Sequence, residues 1–482
     1  MKRVILGIFY AILFLTVGII ICLSVSKPQN NLIPWQMAVG TVVFTAFFAC
    51  VAYYWKCKNF TCNRWVKIII LIGVGALLYI VGATRGLLFG GFGDYPAVYR
   101  SAQEMATVGE LSYPRYFLTY GNNVRPMLFL SVLFKISHGI GLNEYYFTLC
   151  LSVLTAVAAM WAIGKLVGDN SIYQIPSMLF VAICLPIFVF TPSFYTDTMS
   201  FGVGVTALAL IKIALNKNKR WYIYITLASF LTIYGVMWKI TSIIPLFATA
   251  ITVLIMRIRI ERKKVAFGIF SVAIFVVLIN VWSSSYSIYN ESKKSANPLI
   301  SWIAIGMVGD GSWLSNREFA NTLNSIDSKA LKEEFAKEYI KNNISEGLSA
   351  THISAKIRNN FAGGTFSSKD YLSETSDGTF LWELMAPWGK YYWRTSQYCF
   401  IYVFLIYTFM FIGSIVAVVD LARGYDIPFV KVITDISFFG IVLFLMIWES
   451  NNRQMYNQLP VLVVNLFANT EYLLGKVHKR RV

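Results

Sequence analysis

A carboxylate placed directly after a long apolar run is costly to keep at a membrane edge, and such groups are usually retained for function. Asp94 is one. It stands in Gly91-Phe92-Gly93-Asp94-Tyr95-Pro96, just beyond the apolar stretch 66–89. The glycines and the proline shape a turn around the acid. A carboxylate held in this way suits general-base work on a hydroxyl that comes within hydrogen-bond reach. The plainer alternative is a cap for the following helix, a common role for Asp.

Four further groups have types that could act with it. Asp197 lies in Thr191-Pro192-Ser193-Phe194-Tyr195-Thr196-Asp197, before another apolar run, and reads equally as a catalytic acid or as a helix cap. Lys239, in Gly235-Val236-Met237-Trp238-Lys239, has apolar sequence on both sides. It is either a snorkelling lysine or a cation that meets an anionic head group. Arg453 and Glu449 belong to Glu449-Ser450-Asn451-Asn452-Arg453-Gln454-Met455-Tyr456, at the mouth of two apolar runs. Spacing of four permits a simple ion pair. The functional alternative is a guanidinium that grips phosphate through its planar fork, with Glu449 and Tyr456 beside it.

The elements that must position these groups are membrane helices. Of the 482 residues 57% are hydrophobic and only 14% are charged. Runs near the roughly 20 residues needed to span a bilayer recur along nearly the whole chain. They fall near 4–24, 35–55, 66–89, 126–140, 145–166, 175–191, 198–215, 221–236, 239–256, 265–283, 397–419, 429–448 and 456–475. The expected fold is an all-α polytopic membrane protein with about 12–13 transmembrane helices, an amphipathic first outer loop and a larger soluble insertion.

The net charge of +18 lies wholly outside 285–396, where acidic and basic residues balance. It sits in short loops, including Lys2/Arg3, Lys56–Lys67, Lys212–Arg220, Arg257–Lys264, Arg423–Lys431 and Lys476–Arg481. This is the positive-inside pattern, with attraction to anionic lipid, and not the footprint of a nucleic-acid binder. It places both termini in the cytoplasm and puts Asp94, Asp197, Lys239, the 285–396 loop and Arg453 on the outer side. With Lys165 and Asp169 inside, an odd number of crossings must separate them from Asp94. The run after Pro126 is short for a span, so either it or part of the next helix is expected not to cross completely; the alternative is that the Asp197 turn lies on the other side.

Between Asp94 and Arg125, Tyr95–Val108 places Val98, Met105 and Val108 at helical spacing, which predicts one or two amphipathic helices on the membrane surface. In the large loop, Leu331, Phe335 and Tyr339 predict a helix over 328–341. Seven cysteines are present, none in that loop, so no disulfide framework is expected. The three histidines are far apart and lack ligand spacing, and no metal or cofactor is expected.

Gly93-Asp94-Tyr95-Pro96, Arg125-Pro126-Met127-Leu128, Pro192-Ser193-Phe194-Tyr195-Thr196-Asp197 and Glu449…Arg453…Tyr456…Pro460 resemble motifs of the GT-C superfamily of integral-membrane glycosyltransferases, near its protein O-mannosyltransferase and aminoarabinose-transferase branch. Gly306–Gly311 and Gly363-Gly364-Thr365-Phe366 resemble loop segments of large bacterial members. The resemblance runs from about residue 66 to the end. Two additional helices precede it, and Arg-Pro replaces a common Pro-Pro.

It implies two extra helices over 1–60, a core over 61–284 with the outer loop 90–125, a loop domain over 285–396 and three helices over 397–482. It implies transfer of a sugar from a polyprenyl phosphate to a glycopolymer or glycolipid at the outer face of a bacterial cell membrane. Asp94 would be the base, with Asp197 beside it as a catalytic residue. Arg453, Lys239, Glu449 and Tyr456 would hold the donor phosphate. Tyr95, Arg125, Asp310, Lys356, Trp302 and Phe366 are the candidate substrate contacts. The competing classes are a transporter or flippase of lipid-linked saccharide and a polysaccharide polymerase or ligase.

Overall fold

The computed structural model describes residues 1–58, 63–85, 94–168, 171–217, 219–373 and 375–479, with side chains through 475. Every regular element among them is a helix. Nine helical stretches among them, counting the interrupted Thr196–Asn216 as one, are long and apolar enough to cross a membrane. Gly91 and Gly93 of the Asp94 turn, Cys62 and Asp169 lie outside the described residues.

Small residues set how closely the spans pack. Arg64–Arg85 runs antiparallel to Glu144–Val167. A methyl added at Gly82 would stand 2.7 Å from Leu149, and one at Gly75 would stand 3.1 Å from Val157. Lys2–Ser26 presents Leu6, Tyr10, Leu13, Val17 and Ile20 at helical spacing and lies along Tyr392–Ala422. Arg262–Ser284 packs on Trp221–Trp238 and leaves Ile269, Phe270, Val277 and Val281 exposed, a surface suited to lipid. Tyr392–Ala422 has 31 residues, about 46 Å at 1.5 Å per residue, so it outruns a bilayer core of roughly 30 Å.

Several runs that read as single spans are broken. The 175–191 stretch forms Gln174–Ala182 and Pro186–Phe190, because Pro186 cannot donate to a continuing helical ladder. The 198–215 stretch forms Thr196–Met199 and Val203–Asn216, parted at Gly202 with φ +64°. The Val124–Gly139 helix begins beside Asp94's partners and ends at His138, whose ring meets Glu144 at the start of Glu144–Val167. Tyr145 in turn donates to Gly82 O at 2.6 Å. Both ends of Val124–Gly139 therefore lie at the same end of the bundle.

Asp94–Thr107 is the helix expected after Asp94, with Val98 and Met105 inward; Val108 lies past its end and is exposed. The insertion helix is Lys329–Gly347. Phe335 and Tyr339 join a small core with Phe319 and Leu323, but Leu331 faces out and Lys332 is buried in its place, its Nζ donating to Ser295 O at 2.7 Å. Lys431, expected in a loop, is the third residue of Phe429–Ile447. It is fully buried because Asp435 Oδ2 and Asn469 Oδ1 each lie 2.7 Å from its Nζ.

Gly202 is a position where no side chain fits. A methyl there would overlap Ala159 Cβ and stand 3.0 Å from Pro460, at a φ that disfavours other residues. Gly202→Ala is expected to lower stability by about 1–3 kcal/mol. Gly73→Ala, in open space on a helix, is expected to leave stability unchanged or raise it slightly. Thermal unfolding of both purified variants checks this.

Candidate active site

The turns at the broken helices gather at one end of the bundle, and the polar residues gather with them. Asp94 opens its helix, where a carboxylate suits the positive N-terminal end. Its Oδ1 accepts from the Tyr116 phenol at 2.6 Å. Its Oδ2 lies 3.0 Å from the Tyr195 phenol, which is also 3.1 Å from Asn123 Oδ1, so one phenolic proton serves either acceptor. Asn123 Nδ2 donates to the Tyr116 oxygen at 2.6 Å. Two phenols and an amide thus fix the carboxylate. A carboxylate has about four lone-pair sites, so among the described residues two remain for another donor.

Asp197 is fully buried. It sits inside the Thr196–Met199 turn and does not cap it; the capping position is Tyr195. The carboxylate instead binds Lys239 through Oδ1 and Arg453 Nε through Oδ2, the latter at 3.0 Å. Tyr371 donates to Oδ2 at 3.1 Å and accepts from Arg453 Nη1 at 3.2 Å. Lys239 reaches this point because the chain is extended there, between Trp221–Trp238 and the next 3₁₀ turn. Arg453 lies in the 3₁₀ segment Asn452–Gln458, whose start is fixed by Asn451 Oδ1 accepting from the Arg453 amide at 3.0 Å. Two cations thus share the one carboxylate of Asp197, with Asp94, Glu449 and Asp370 also within electrostatic reach of Arg453. The side chains of Lys239 and Arg453 stay 13% and 23% exposed while Asp197 is at 0%, so the cations form the accessible rim.

Tyr195 joins the two halves. Its hydroxyl reaches Asp94, and the Arg453 guanidinium carbon lies 5.7 Å from its ring centroid. Arg453 is equally far from the Tyr371 ring. Acid and guanidinium, remote in sequence, are one phenol apart.

Glu449 keeps some exposed surface but is ringed by protein. Burial pushes its carboxyl up to about 7, with Arg453 opposing and Asp94 adding to the rise. The backbone of Trp313 lies beside it and also opposes the rise. Arg453's ion pair is therefore with Asp197, and Glu449 stands as a separate acid on the same rim.

The remaining candidates occupy several settings. Tyr95 donates to Pro192 O at 3.4 Å in the wall behind Asp94. Tyr456 is buried between Phe190 and Phe201, with ring centroids 4.0 and 4.8 Å away, and forms the floor. Phe366 is buried 6.0 Å from Tyr456. Lys356 donates to Gly306 O at 2.9 Å and Trp448 O at 2.7 Å, tying the insertion to the Glu449 segment. Asp310 closes its own turn on Ser312 and Ser315. Arg125 points away, to Ser283 at 3.2 Å, Asn280 at 2.7 Å and Tyr289. Trp302 belongs to the insertion core and faces Tyr120.

The sequence reading missed Tyr116, Asn123, Tyr195 and Tyr371 as partners, and also Arg85. Arg85 is buried and donates to Val189 O at 2.8 Å and to Tyr371 O. A signal for it was present: an arginine ending an apolar span on the side that disfavours cations, as for Lys239. Among the described residues no group of three His, Cys, Asp or Glu side chains is placed to hold a metal.

Fold and site define a polytopic helical membrane protein with a cation-rimmed polar site at one end of its bundle. No protein-family model and no curated protein matches the sequence. Among solved structures the chain is similar to the crystal structure of ArnT from Cupriavidus metallidurans bound to undecaprenyl phosphate. Identity is 10%, covering 85% of this chain and 78% of that one, with a TM-score of 0.35. That likeness is too distant to carry over a residue role.

Removing one partner of a buried ion pair costs about 3–5 kcal/mol. Asp197→Asn is expected to destabilise the fold on that scale, and Asp197→Asn with Lys239→Met is expected to recover part of the loss, since one unpaired cation is removed. Unfolding of both variants measures this coupling. Glu449 gives a separate pH signature. Its carboxyl is raised in the folded state, so the folded protein binds more protons between about pH 4.5 and 7. Stability is expected to fall as pH rises through that window, and Glu449→Gln is expected to flatten the decline.

Proposed function

We propose that the protein is a glycosyltransferase that moves a sugar from a polyprenyl-phosphate donor to a hydroxyl of a cell-surface glycan or glycolipid acceptor. One observation carries this reading. A fixed carboxylate with free lone pairs, Asp94, shares a rim with two exposed-edge cations, Arg453 and Lys239, across the single ring of Tyr195.

Each group has a defined task. The acceptor hydroxyl donates to Asp94, which takes its proton as the oxygen attacks the anomeric carbon. The bond from that carbon to the donor phosphate oxygen breaks, and the phosphate leaves with the electron pair. Arg453 and Lys239 meet the charge that grows on it. Donors aimed at developing charge are usually the largest catalytic contribution. Asp197 holds the cations in place and thereby positions the leaving group rather than touching it. The lipid carries the activated sugar, so no nucleotide-binding element or metal is required.

The orientation follows from charge. Lys2 pairs with Asp426, Lys212 donates to Lys165 O and Leu166 O, and Lys264 donates to Leu215 O and Lys217 O, all at the end opposite the site. That basic end is the cytoplasmic one by the positive-inside rule, which turns the site outward in a bacterial cell membrane.

The test uses membranes supplied with a labelled polyprenyl-phosphate sugar. Asp94→Asn is expected to bind donor and to lose transfer by about 10²–10⁴-fold. Arg453→Ala is expected to lose donor affinity and about 10²–10³ in rate. Unchanged transfer in Asp94→Asn removes the mechanism. Movement of the sugar lipid across liposomes without transfer supports a flippase instead.

A further inference from the structure

Beside the acid lies a crevice that neither the ion cluster nor Asp94 uses. Its walls are Tyr120, Trp302 and Trp313, with Asn297, Ser301 and Asn324 between them, and they close on one another without room for a water. Tyr120 and Trp302 face each other at 6.4 Å with their planes 31° apart.

Two polar atoms in it are orphaned. Asn297 Oδ1 and Ser301 Oγ are buried without a hydrogen-bond partner among the described residues. Their neighbours are satisfied: Asn297 Nδ2 donates to Asn324 Oδ1 at 2.9 Å, and Asn324 Nδ2 donates to the Tyr120 oxygen at 3.3 Å. Leaving a buried donor or acceptor unpaired costs its full desolvation, so two side by side in one aromatic cleft need a reason. Aromatic faces with a few convergent amide and hydroxyl groups are the composition that recognises a molecule having apolar faces and polar edges.

The crevice also has an address. The Tyr120 ring lies 5.1 Å from the Tyr116 ring, and Tyr116 holds Asp94. Trp313, on the opposite wall, has its backbone beside the Glu449 carboxyl. The Asn297 amide donates to Thr119 O at 2.9 Å, which fixes the insertion against the segment carrying Tyr116. An occupant would sit between the insertion and the general base.

We propose that this crevice is the acceptor subsite and takes a neutral sugar ring, with Trp302 and Tyr120 against its faces and Asn297 and Ser301 hydrogen-bonded to its hydroxyls. The assignment rests on the glycosyl-transfer reading and adds the acceptor's chemical class. The crevice is closed to water as the side chains stand. Trp302 and Trp313 are only half-buried, so a ring enters by displacing their indoles outward.

The test needs no donor. Saturation-transfer NMR and tryptophan fluorescence on the purified full chain, with the methyl glycosides of glucose, galactose, mannose and N-acetylglucosamine as probes, are expected to show millimolar binding of at least one. Ser301→Ala is expected to weaken that binding about fivefold or more while its unfolding midpoint stays level or rises, because an orphaned hydroxyl is removed. Asp94→Asn is expected to bind the glycoside as the wild type does. Absence of binding by all four probes, or equal binding by wild type and Ser301→Ala, overturns the subsite. Glycoside binding that persists in a protein unable to transfer sugar keeps the subsite and removes the transferase reading.

Discussion

The buried carboxylate of Asp197 is the constraint on which this end of the molecule depends. An anion removed from water is tolerated only when paired and hydrogen-bonded. Lys239, Arg453 and Tyr371 meet that demand from three other parts of the chain. Each must arrive at the same few ångströms, so the turn after Pro192, the extended residue at Lys239 and the 3₁₀ segment at Arg453 are held together by one ion. The cations are thereby fixed with their outer edges still accessible, and a phosphate would meet them already placed.

Broken helices make that convergence possible, and each break frees backbone groups that a membrane cannot satisfy. Side chains from neighbouring helices supply the missing bonds. Thr198 donates to Phe190 O at 2.7 Å, Ser152 to Thr191 O at 2.6 Å, and Arg85 to Val189 O at 2.8 Å. Gln458 does the same for Thr241 O at 3.0 Å, below Lys239. The site is thus a polar pocket whose irregular backbone is paid for locally. Arg85 belongs to this support, since its guanidinium also holds Tyr371, the phenol between Asp197 and Arg453.

The insertion contributes through its second half. Asn360 takes the Asn451 amide at 3.0 Å and gives its own amide to Ser450, while Lys356 bonds Trp448 O. The segment leading to Arg453 is therefore clamped from outside the bundle. Phe361 continues inward and packs near Tyr407 and Phe438. Movement of the insertion would be felt at Arg453 and Glu449 together.

Composition and periodicity alone determined a helical membrane protein, the helix after Asp94, the helix expected over 328–341 and found as Lys329–Gly347, and the suspicion attached to Asp94, Asp197, Lys239 and Arg453. These were legible because a charge beside an apolar run is expensive wherever the chain folds. Only the tertiary structure decided that Asp197 serves the cations instead of capping a helix, that Lys356 is spent on carbonyls, that Arg125 turns away, and that Tyr116, Tyr195 and Tyr371 do the joining. A tyrosine in an aromatic-rich membrane protein carries no mark of its partner. Its hydroxyl gains a role when distant segments deliver an acid or a guanidinium within 3 Å or so, and that meeting is a property of packed helices and their breaks, not of local sequence.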